Sequence, residues 1–513
     1  MRKFQQFLRR QADPLFYGGV ALTAVLYFCL VWPGLGGPVL WNDEANTAML
    51  ADNIRQHGVP LADYGQHVVD KEIYSKNFLG VEAGHGWLSF YLCALSFAIG
   101  GETEFAARAP FAVCGALAVL AVAFVGRLLY GRFLGWLAGL LLALNPIFLQ
   151  YCRQSRYYAL VLLLTPVTLG AYLLVRDKRL RWFALPLAAF FLFHASEYFC
   201  AIVLAGLFLA DAARLAWARA GGPPVLDRLP WKRIILGCAA LILPWVVFFS
   251  IGRSLTEHVA FNLSDLWRHV RLGFRSVWEF FPYLIVLGAL PMAPRRASYF
   301  PVAAAAITLA LIILIPDAIF TPGGGLNGRY LMHLLPLGAL IAARGLGLLR
   351  WKWTWLAAPA IVLLGLIPGA SGAGDMWQKF ERAQHFYRHL PHPDPERLAL
   401  ASAAEAIGRN QRVFVSGSYE YEFIYYVLGR DRIASPWKAR CAPGMPQTSV
   451  VIVNQENYDE GITMHDCPFV IQCRETIYRD RTVLGANWAE GPKVFPARPY
   501  MGIWECPPRG VGQ

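Results

Sequence analysis

Charged side chains are scarce in this chain. Asp, Glu, Lys and Arg make up 16% of its 513 residues, hydrophobic residues reach 56%, and the mean hydropathy is +0.39. Soluble globular proteins carry about 25% charged residues, so this balance excludes an ordinary soluble domain and predicts a polytopic α-helical membrane protein. The net charge of +13 is then first a topology signal, because Lys and Arg collect on the cytoplasmic side of membranes.

Paired cysteines and a leader cleavage site are also missing. The ten cysteines show no CxxC spacing, which disfavours a zinc ribbon. Basic residues are scattered between apolar runs, so no nucleic-acid partner is expected. The basic stretch Met1 to Arg10 precedes an apolar run without a small-residue cleavage site, which is typical of a signal anchor. One or two disulfides are expected near the C-terminus, with the pairing open, among Cys441, Cys467, Cys473 and Cys506.

Long apolar runs predict about eleven or more transmembrane helices. They lie at 14–33, 107–127, 133–150, 156–175, 182–196, 198–216, 234–251, 277–292, 298–316, 329–348 and 353–370. One further run, 87–100, is short for a span and suits a re-entrant or interfacial helix.

The distribution of basic residues distinguishes between two possible membrane topologies. If 87–100 does not cross, the clusters from Arg127 to Lys352 fall in the cytoplasm together with the N-terminus; if it crosses, they all fall outside. The first topology is preferred. It predicts a multi-pass membrane protein with its N-terminus in the cytoplasm and its C-terminal region on the outer face. In a bacterial inner membrane, which is the expected location, this outer face is periplasmic and is the expected side of the active site.

The same topology predicts the domain organisation. Residues 1–370 form the transmembrane domain, in which 34–105 is the first extracytoplasmic loop with interfacial helices. Residues 371–513 form a small extracytoplasmic α/β domain. Its expected elements are strands at 412–416, 450–454, 469–473 and 501–506 and a helix at 419–428.

Two adjacent acids, Asp43 and Glu44, follow the first membrane exit in the stretch Trp41-Asn42-Asp43-Glu44-Ala45. They are costly so close to a membrane unless they are solvated or used. One reading is the start of a helix, where acids complement the helix dipole. The other is a general base or a carboxylate that orients an acceptor hydroxyl. The two readings are compatible.

Three blocks carry a resemblance to a known family. They are 41–60, the stretch 86–110 with Glu104-Phe105-Ala106-Ala107-Arg108, and Gly328-Arg329-Tyr330-Leu331. In this order they resemble the GT-C glycosyltransferases, nearest the protein O-mannosyltransferase and lipid A aminoarabinose transferase branch, over roughly 14–370. The resemblance implies a polyprenyl-phosphate sugar donor, inverting transfer, an extracytoplasmic site, and Asp43 as the catalytic acid with Glu44 as its neighbour. The chain departs from the family at Gly84-His85-Gly86 and lacks an acid in 153–158.

A leaving phosphate needs cations at the outer interface. Arginines there run against the positive-inside bias, so each requires a reason. The expected phosphate-binding residues are Arg329, Arg153, Arg156, Tyr330 and Lys71. A structural ion pair and interfacial snorkelling remain alternatives for Arg329.

Other polar residues are candidates for substrate or metal binding. Substrate contacts are expected from Tyr157, His85, Glu197 and His194, although a polar turn between two spans explains the last two equally well. A divalent metal is left open as a cofactor, with Glu82 and His85 as the weak candidates. His333 is expected to face the interior of the helix bundle.

The expected function is an inverting glycosyltransferase that moves a sugar from a polyprenyl-phosphate donor to lipopolysaccharide, lipid A or another envelope glycan. Its expected partners are the lipid-linked donor, a glycan or glycolipid acceptor and membrane lipid. A lipid-linked sugar transporter or flippase and a non-catalytic envelope assembly factor are the alternatives.

Overall fold

Apolar helices make up most of what the computed structural model describes. The described residues are 2–61, 68–69, 81–82, 85–177, 179–196, 198–218, 230–249, 270–271, 300–313, 331–348, 412–416, 449–454 and 501–506. Their helices are α1 (Arg2–Val31), α2 (Asn42–His57), α3 (Leu88–Gly100), α4 (Glu104–Tyr130), α5 (Arg132–Ala143), α6 (Pro146–Cys152), α7 (Tyr158–Arg176), α8 (Ala184–Ser196), α9 (Tyr198–Ala218), α10 (Trp231–Phe248), α11 (Phe300–Ile313) and α12 (Leu334–Leu348).

Several of these helices are long and apolar enough to cross a membrane. Within the described residues they are Asp13–Val31 of α1 and the whole of α4, α7 and α10, with α5 and α6 as a fifth span if the bent pair is counted as one. Shorter apolar helical stretches lie on other predicted spans: α8, Phe199–Ala213 of α9, Pro301–Leu311 of α11 and Leu334–Gly347 of α12. The helical membrane architecture is therefore confirmed, and the count of eleven stays a prediction. The predicted spans 277–292 and 353–370 lie outside the described residues.

The short run before α4 forms a helix, as its length predicted. α3 has 13 residues, which at 1.5 Å per residue is about 20 Å, against a hydrocarbon core of about 30 Å. Such a helix is too short to span without distortion. Its interfacial position stays a prediction.

A break at Asn145 divides the predicted span 133–150 into two helices. Pro146 occupies the first turn of α6, and the Asn145 side-chain oxygen accepts a hydrogen bond from the Phe148 backbone N–H at 3.1 Å. This is an ordinary N-cap, and α6 leaves α5 at 65°. The bend matters for function because α6 ends directly before Arg153 and Arg156.

The chain divides into two compact units. Unit 1 comprises Met1–Leu35, His85–Ser89 and Arg108–Arg388. Unit 2 comprises Gly36–Gly84, Phe90–Ala107 and His389–Gln513. Most of the apolar helices belong to unit 1, and α2 belongs to unit 2.

In unit 1 the helices pack as pairs: α9 with α11, α7 with α8, α5 with α12 and α1 with α5. Small residues allow the backbones to approach closely, as is usual where lipid provides no hydrophobic drive between helices. A Cβ on Gly126 of α4 would lie 2.8 Å from the Gly135 Cα of α5. At one end of these helices, Asp13 of α1 pairs with Arg127 at 2.9 Å and Arg132 at 2.7 Å.

Unit 2 contains a four-stranded sheet in the order β1 (Val68–Val69), β2 (Arg412–Ser416), β3 (Ser449–Asn454) and β4 (Met501–Cys506). β1, β2 and β3 are parallel, and β4 is antiparallel to β3. Three of these strands coincide with predicted strands to within one residue. The strand Val68–Val69, which comes from the first loop, was not predicted. The expected strand 469–473 and helix 419–428 lie outside the described residues, and the α/β domain at 371–513 stays a prediction.

Candidate active site

The two acids of the first loop occupy the first turn of α2, in unit 2. The Glu44 carboxylate reaches back and accepts a hydrogen bond from the Trp41 backbone N–H at 3.4 Å. This is one half of a capping box; Trp41 has no side-chain oxygen to provide the other half. Glu44 is buried and Asp43 is half-buried. Glu44 therefore fastens the helix start, and Asp43 is the acid of the pair that retains access to solvent.

Unit 2 holds α2 firmly at its other end. The helix stops at Gly58, which adopts φ +79° and donates its N–H to the Ile54 carbonyl at 2.8 Å. The Asn53 amide donates to the Leu61 carbonyl at 2.6 Å, and the Tyr91 hydroxyl donates to the Gly58 carbonyl at 2.7 Å. These bonds fix the helix that presents Asp43.

Two predicted phosphate ligands lie in unit 1, in the turn between α6 and α7. Arg153 is the C-cap of α6, is buried, and donates to the Pro33 carbonyl just beyond α1. Arg156 is also buried, and its guanidinium carbon lies 5.5 Å from the centroid of the Tyr157 ring. The first arginine therefore has a structural contact, and the second forms a cation–π pair.

His85 joins the same turn. Its ring centroid lies 6.3 Å from that of Tyr157, and both rings are half-buried. The neighbouring Gly86 packs on the end of α8 so closely that a Cβ there would overlap the His194 carbonyl. The structure thus brings together His85, Tyr157 and Arg156, which the sequence assigned separately.

His194 lies within the last turn of α8 and not in a loop. Its ring is surrounded by aromatic side chains, with centroids 4.6 Å from Phe190 and from Trp245. Its Nε2 is buried and has no hydrogen-bond partner within the part of the chain that the structure describes. Glu197, the other residue of the predicted polar turn between two spans, lies outside the described residues, so that reading stays a prediction. His194 itself belongs to α8, which continues to Ser196, and aromatic rings enclose its imidazole. Its substrate role stays a prediction.

These residues share one end of unit 1, named here the site end: Leu35, His85, Arg108, Arg153, Tyr157 and His194. Arg108 is buried near the start of α4 and donates to the Leu35 carbonyl at 3.0 Å. Arg127, 19 positions further along α4, pairs with Asp13 instead. Nineteen helical positions correspond to about 28 Å, close to the thickness of the hydrocarbon core. The site end and the Asp13 cluster therefore lie at opposite ends of a membrane-sized bundle.

Several predicted site residues receive no structural placement. Arg329, Tyr330, Lys71 and Glu197 lie outside the described residues. Glu82 is described and buried, and its backbone N–H donates to the Pro60 carbonyl at 2.9 Å. No group of three or more metal-ligating His, Cys, Asp or Glu side chains occurs among the residues with described positions. A divalent metal stays a prediction.

His333 is buried in the bundle, as expected. Its Nδ1 lies 3.1 Å from the Thr165 hydroxyl of α7, and its ring stacks on Phe199 of α9 at 5.6 Å. It therefore links the segment after Arg329 to the helix that begins after Tyr157. Arg108 is a residue whose structural contact the sequence reasoning missed. Its position in the block 104–108 was the available signal.

Solved structures of two transferases match most of this chain. The structure of ArnT from Cupriavidus metallidurans bound to undecaprenyl phosphate covers 86% of this chain and 93% of its own, with a TM-score of 0.56 at 13% identity. The archaeal oligosaccharyltransferase AglB from Archaeoglobus fulgidus covers 86% of this chain and 70% of its own, with a TM-score of 0.53 at 13% identity.

This chain has the GT-C glycosyltransferase fold. The resemblance drawn from the sequence is thereby confirmed. A model of the dolichyl-phosphate-mannose-protein mannosyltransferase family matches residues 84–248, which include His85, Arg153, Arg156, Tyr157 and His194. Its match begins at the loop that packs on α8 and ends with α10. Most residues of the site end therefore lie within the part of the chain that matches the family model.

Sequence relatives agree with the GT-C fold. The undecaprenyl phosphate-alpha-4-amino-4-deoxy-L-arabinose arabinosyl transferase of Pseudomonas aeruginosa is 27% identical over 377 residues, covering 60% of this chain and 63% of the relative. Its counterpart from Pseudomonas paraeruginosa has the same identity and coverage. The chain thus spans 63% of the length of these relatives. Together with the apolar helices, they indicate a multi-pass inner-membrane protein.

Proposed function

We propose that this protein is an inverting glycosyltransferase that moves a sugar from a polyprenyl-phosphate donor to a cell-envelope acceptor. The observation that carries the proposal is the 27% identity to transferases named for an undecaprenyl-phosphate-linked sugar. The GT-C fold, shared with an ArnT structure that contains undecaprenyl phosphate, supports the same donor class. Lipopolysaccharide, lipid A or another envelope glycan is the proposed acceptor.

Asp43 is the proposed catalytic acid. In an inverting transfer, the acceptor hydroxyl attacks the anomeric carbon, the bond from that carbon to the phosphate oxygen breaks, and the hydroxyl proton must leave. A carboxylate within reach removes that proton or orients the hydroxyl. Asp43 is half-buried at the start of a firmly held helix, whereas Glu44 is buried and occupied in capping. The base role therefore goes to Asp43, and Glu44 maintains the helix start.

The site end of unit 1 supplies the proposed donor contacts. The departing phosphate gains negative charge, which a nearby guanidinium stabilises. Arg156 and Arg153 are the proposed ligands, because both guanidinium groups are buried at this end of unit 1. His85 and Tyr157 are proposed to contact the sugar. Arg329, Tyr330 and Lys71 complete the proposed phosphate set on the sequence resemblance alone, and Glu197 and His194 remain proposed substrate contacts.

The proposed orientation places the site end at the periplasmic face. Asp13, Arg127 and Arg132 gather at the other end, and basic residues beside membrane spans favour the cytoplasm. In the same proposal, residues 1–370 form the catalytic membrane domain with 34–105 as its first outer loop, and 371–513 form the outer α/β domain.

The proposal is tested with purified protein in detergent. Undecaprenyl phosphate-α-4-amino-4-deoxy-L-arabinose serves as donor and lipid A as acceptor, and the product is measured by mass spectrometry. Asp43→Asn is expected to lower kcat by at least about 100-fold while the protein stays folded, since general-base catalysis contributes roughly 10²–10⁴-fold. Glu102→Gln is the matched control: Glu102 is an exposed acid of the same unit, paired with Arg55, and its loss should leave transfer unchanged.

Two outcomes would replace the proposal. Movement of labelled lipid-linked sugar across vesicles without a new glycosidic bond would favour a flippase. Full cellular function of the Asp43→Asn protein would favour a non-catalytic assembly factor.

A further inference from the structure

One buried polar atom on α2 is not explained by the helix or its packing. Asn46 is 7% exposed, and its side-chain oxygen Oδ1 has no hydrogen-bond partner among the residues that the structure describes. Buried side-chain oxygens in folded proteins nearly always have a partner, because burial removes the water that would otherwise donate to them. Such an acceptor is open to a donor that the described residues do not supply.

The position of Asn46 connects it to the proposed catalytic acid. Residues three apart on a helix are neighbours on one face, so Asn46 lies one turn after Asp43 on the same side of α2. Within this turn the Thr47 hydroxyl also donates to the Asp43 backbone carbonyl at 3.2 Å. A group that contacts Asp43 therefore lies within a helical turn of the Asn46 amide.

Asn53 shows what a structural asparagine on this helix does. It lies seven positions after Asn46, again on the same face, and its amide donates to the Leu61 carbonyl at 2.6 Å. That bond joins the end of α2 to the following segment. The side-chain oxygen of Asn46, on the same helix face, has no comparable bond to any described part of the chain.

We propose that Asn46 Oδ1 accepts a hydrogen bond from a hydroxyl or amino group of the substrate held at Asp43. Asn46 is then a positioning and specificity residue: it orients the reacting group and disfavours analogues that lack the donor. A site built to pair with a substrate hydroxyl or amino group rejects such analogues, because the buried acceptor is left unsatisfied. This inference rests on the proposed function and adds a second residue of α2 to its site.

The test compares Asn46→Leu with Asn53→Leu in the same transfer assay, together with thermal unfolding of each protein. Leucine has a similar size to asparagine and no polar atoms. Asn46→Leu is expected to lower kcat/KM about tenfold, the value of one lost hydrogen bond, with a Tm equal to or above that of the wild type. Asn53→Leu is expected to lower Tm and to leave kcat/KM of the folded protein unchanged. A rise in KM for the lipid-linked donor or for lipid A identifies which substrate carries the group.

Each other result counts against the inference. A lower Tm with unchanged kcat/KM in Asn46→Leu would make Asn46 a structural residue, and wild-type kinetics at any Tm would remove its role. Both results can be obtained only if the wild-type protein transfers sugar, so neither contradicts the proposed function. A wild-type protein that transfers no sugar would instead overturn the proposed function, and the inference would fall with it.

Discussion

Asp43 and Glu44 are adjacent acids that differ in burial. The motif could be read from the sequence, and so could a helix that begins close to these acids, because both depend on neighbouring residues. The cap was not predicted: it is Trp41, one residue before the expected Asn42 or Asp43. Which acid would be buried depends on the surroundings of α2, and a single sequence does not give those. In the structure the Glu44 carboxylate accepts a hydrogen bond from the Trp41 backbone N–H, and Asp43 is half-buried.

Substitutions of Glu44 should therefore affect stability more than chemistry. Glu44→Gln retains an oxygen that can accept from Trp41 N–H, so transfer is expected to stay within about tenfold of wild type, well short of the loss expected for Asp43→Asn. Glu44→Ala removes the acceptor and should cost about 0.5–2 kcal/mol of unfolding free energy. Thermal unfolding and transfer assays of the three variants measure both effects. Loss of transfer in Glu44→Gln equal to that of Asp43→Asn would show that the two carboxylates act together.

Arg156 offers a second test at the scale of single residues. Its buried guanidinium faces the Tyr157 ring. If Arg156 binds the donor phosphate, the affinity for the donor should depend on the positive charge of this side chain. Arg156→Gln is expected to raise the KM for the lipid-linked donor about tenfold or more, because hydrogen bonds to charged groups contribute roughly 1.5–3 kcal/mol. Direct titration with undecaprenyl phosphate checks the same effect without turnover, and unchanged affinity in Arg156→Gln would assign the phosphate elsewhere.

At the scale of elements, periodicity and length predicted most helices but not their interruptions. The run 133–150 is apolar enough to predict one span, yet Asn145-Pro146 ends one helix and begins the next. The Asn-Pro pair was a local signal for the break. The strand Val68–Val69 had no comparable signal, since two valines in a polar loop become a strand only by pairing with Phe414 and Val415. Local patterns could predict the helices, whereas this strand depends on residues far along the chain.

The loop at His85-Gly86 gives a prediction for one element. It packs on the end of α8, and an added Cβ at position 86 would overlap the His194 carbonyl. Gly86→Ala should displace the loop, separate His85 from Tyr157, and cost about 1–3 kcal/mol of unfolding free energy, as overpacked sites do. Both Tm and transfer should fall.

The matched control for Gly86→Ala is Gly18→Ala. Gly18 lies within α1, and a Cβ there would meet nothing within 4 Å. Alanine favours helices over glycine, so Tm should stay the same or rise slightly. Equal behaviour of the two variants would contradict the close packing of the loop on α8.

At the scale of the whole molecule, the distribution of basic residues along the sequence and the structure of unit 1 independently place Arg153 and the Asp13 cluster at opposite ends of the helices. The positive-inside count alone predicts that 150–156 lies opposite the clusters at Arg127 and Arg132. The structure places Arg153 with Pro33 at one end of unit 1 and the Asp13 cluster at the other. The composition predicted a membrane protein, and three short motifs predicted the GT-C fold. Which sugar and which acceptor an enzyme accepts depends on the shape of its pocket, and short motifs do not predict that shape.

The most direct test of the proposed function is mass spectrometry of envelope glycolipids from otherwise identical cells. One strain carries the wild-type gene, one carries Asp43→Asn, and one lacks the gene. We expect the wild-type strain to contain a glycolipid heavier by one sugar residue, and this species to be absent from both other strains while the Asp43→Asn protein remains in the membrane. The same sugar-modified glycolipid at wild-type abundance in the Asp43→Asn strain would contradict the catalytic role of Asp43.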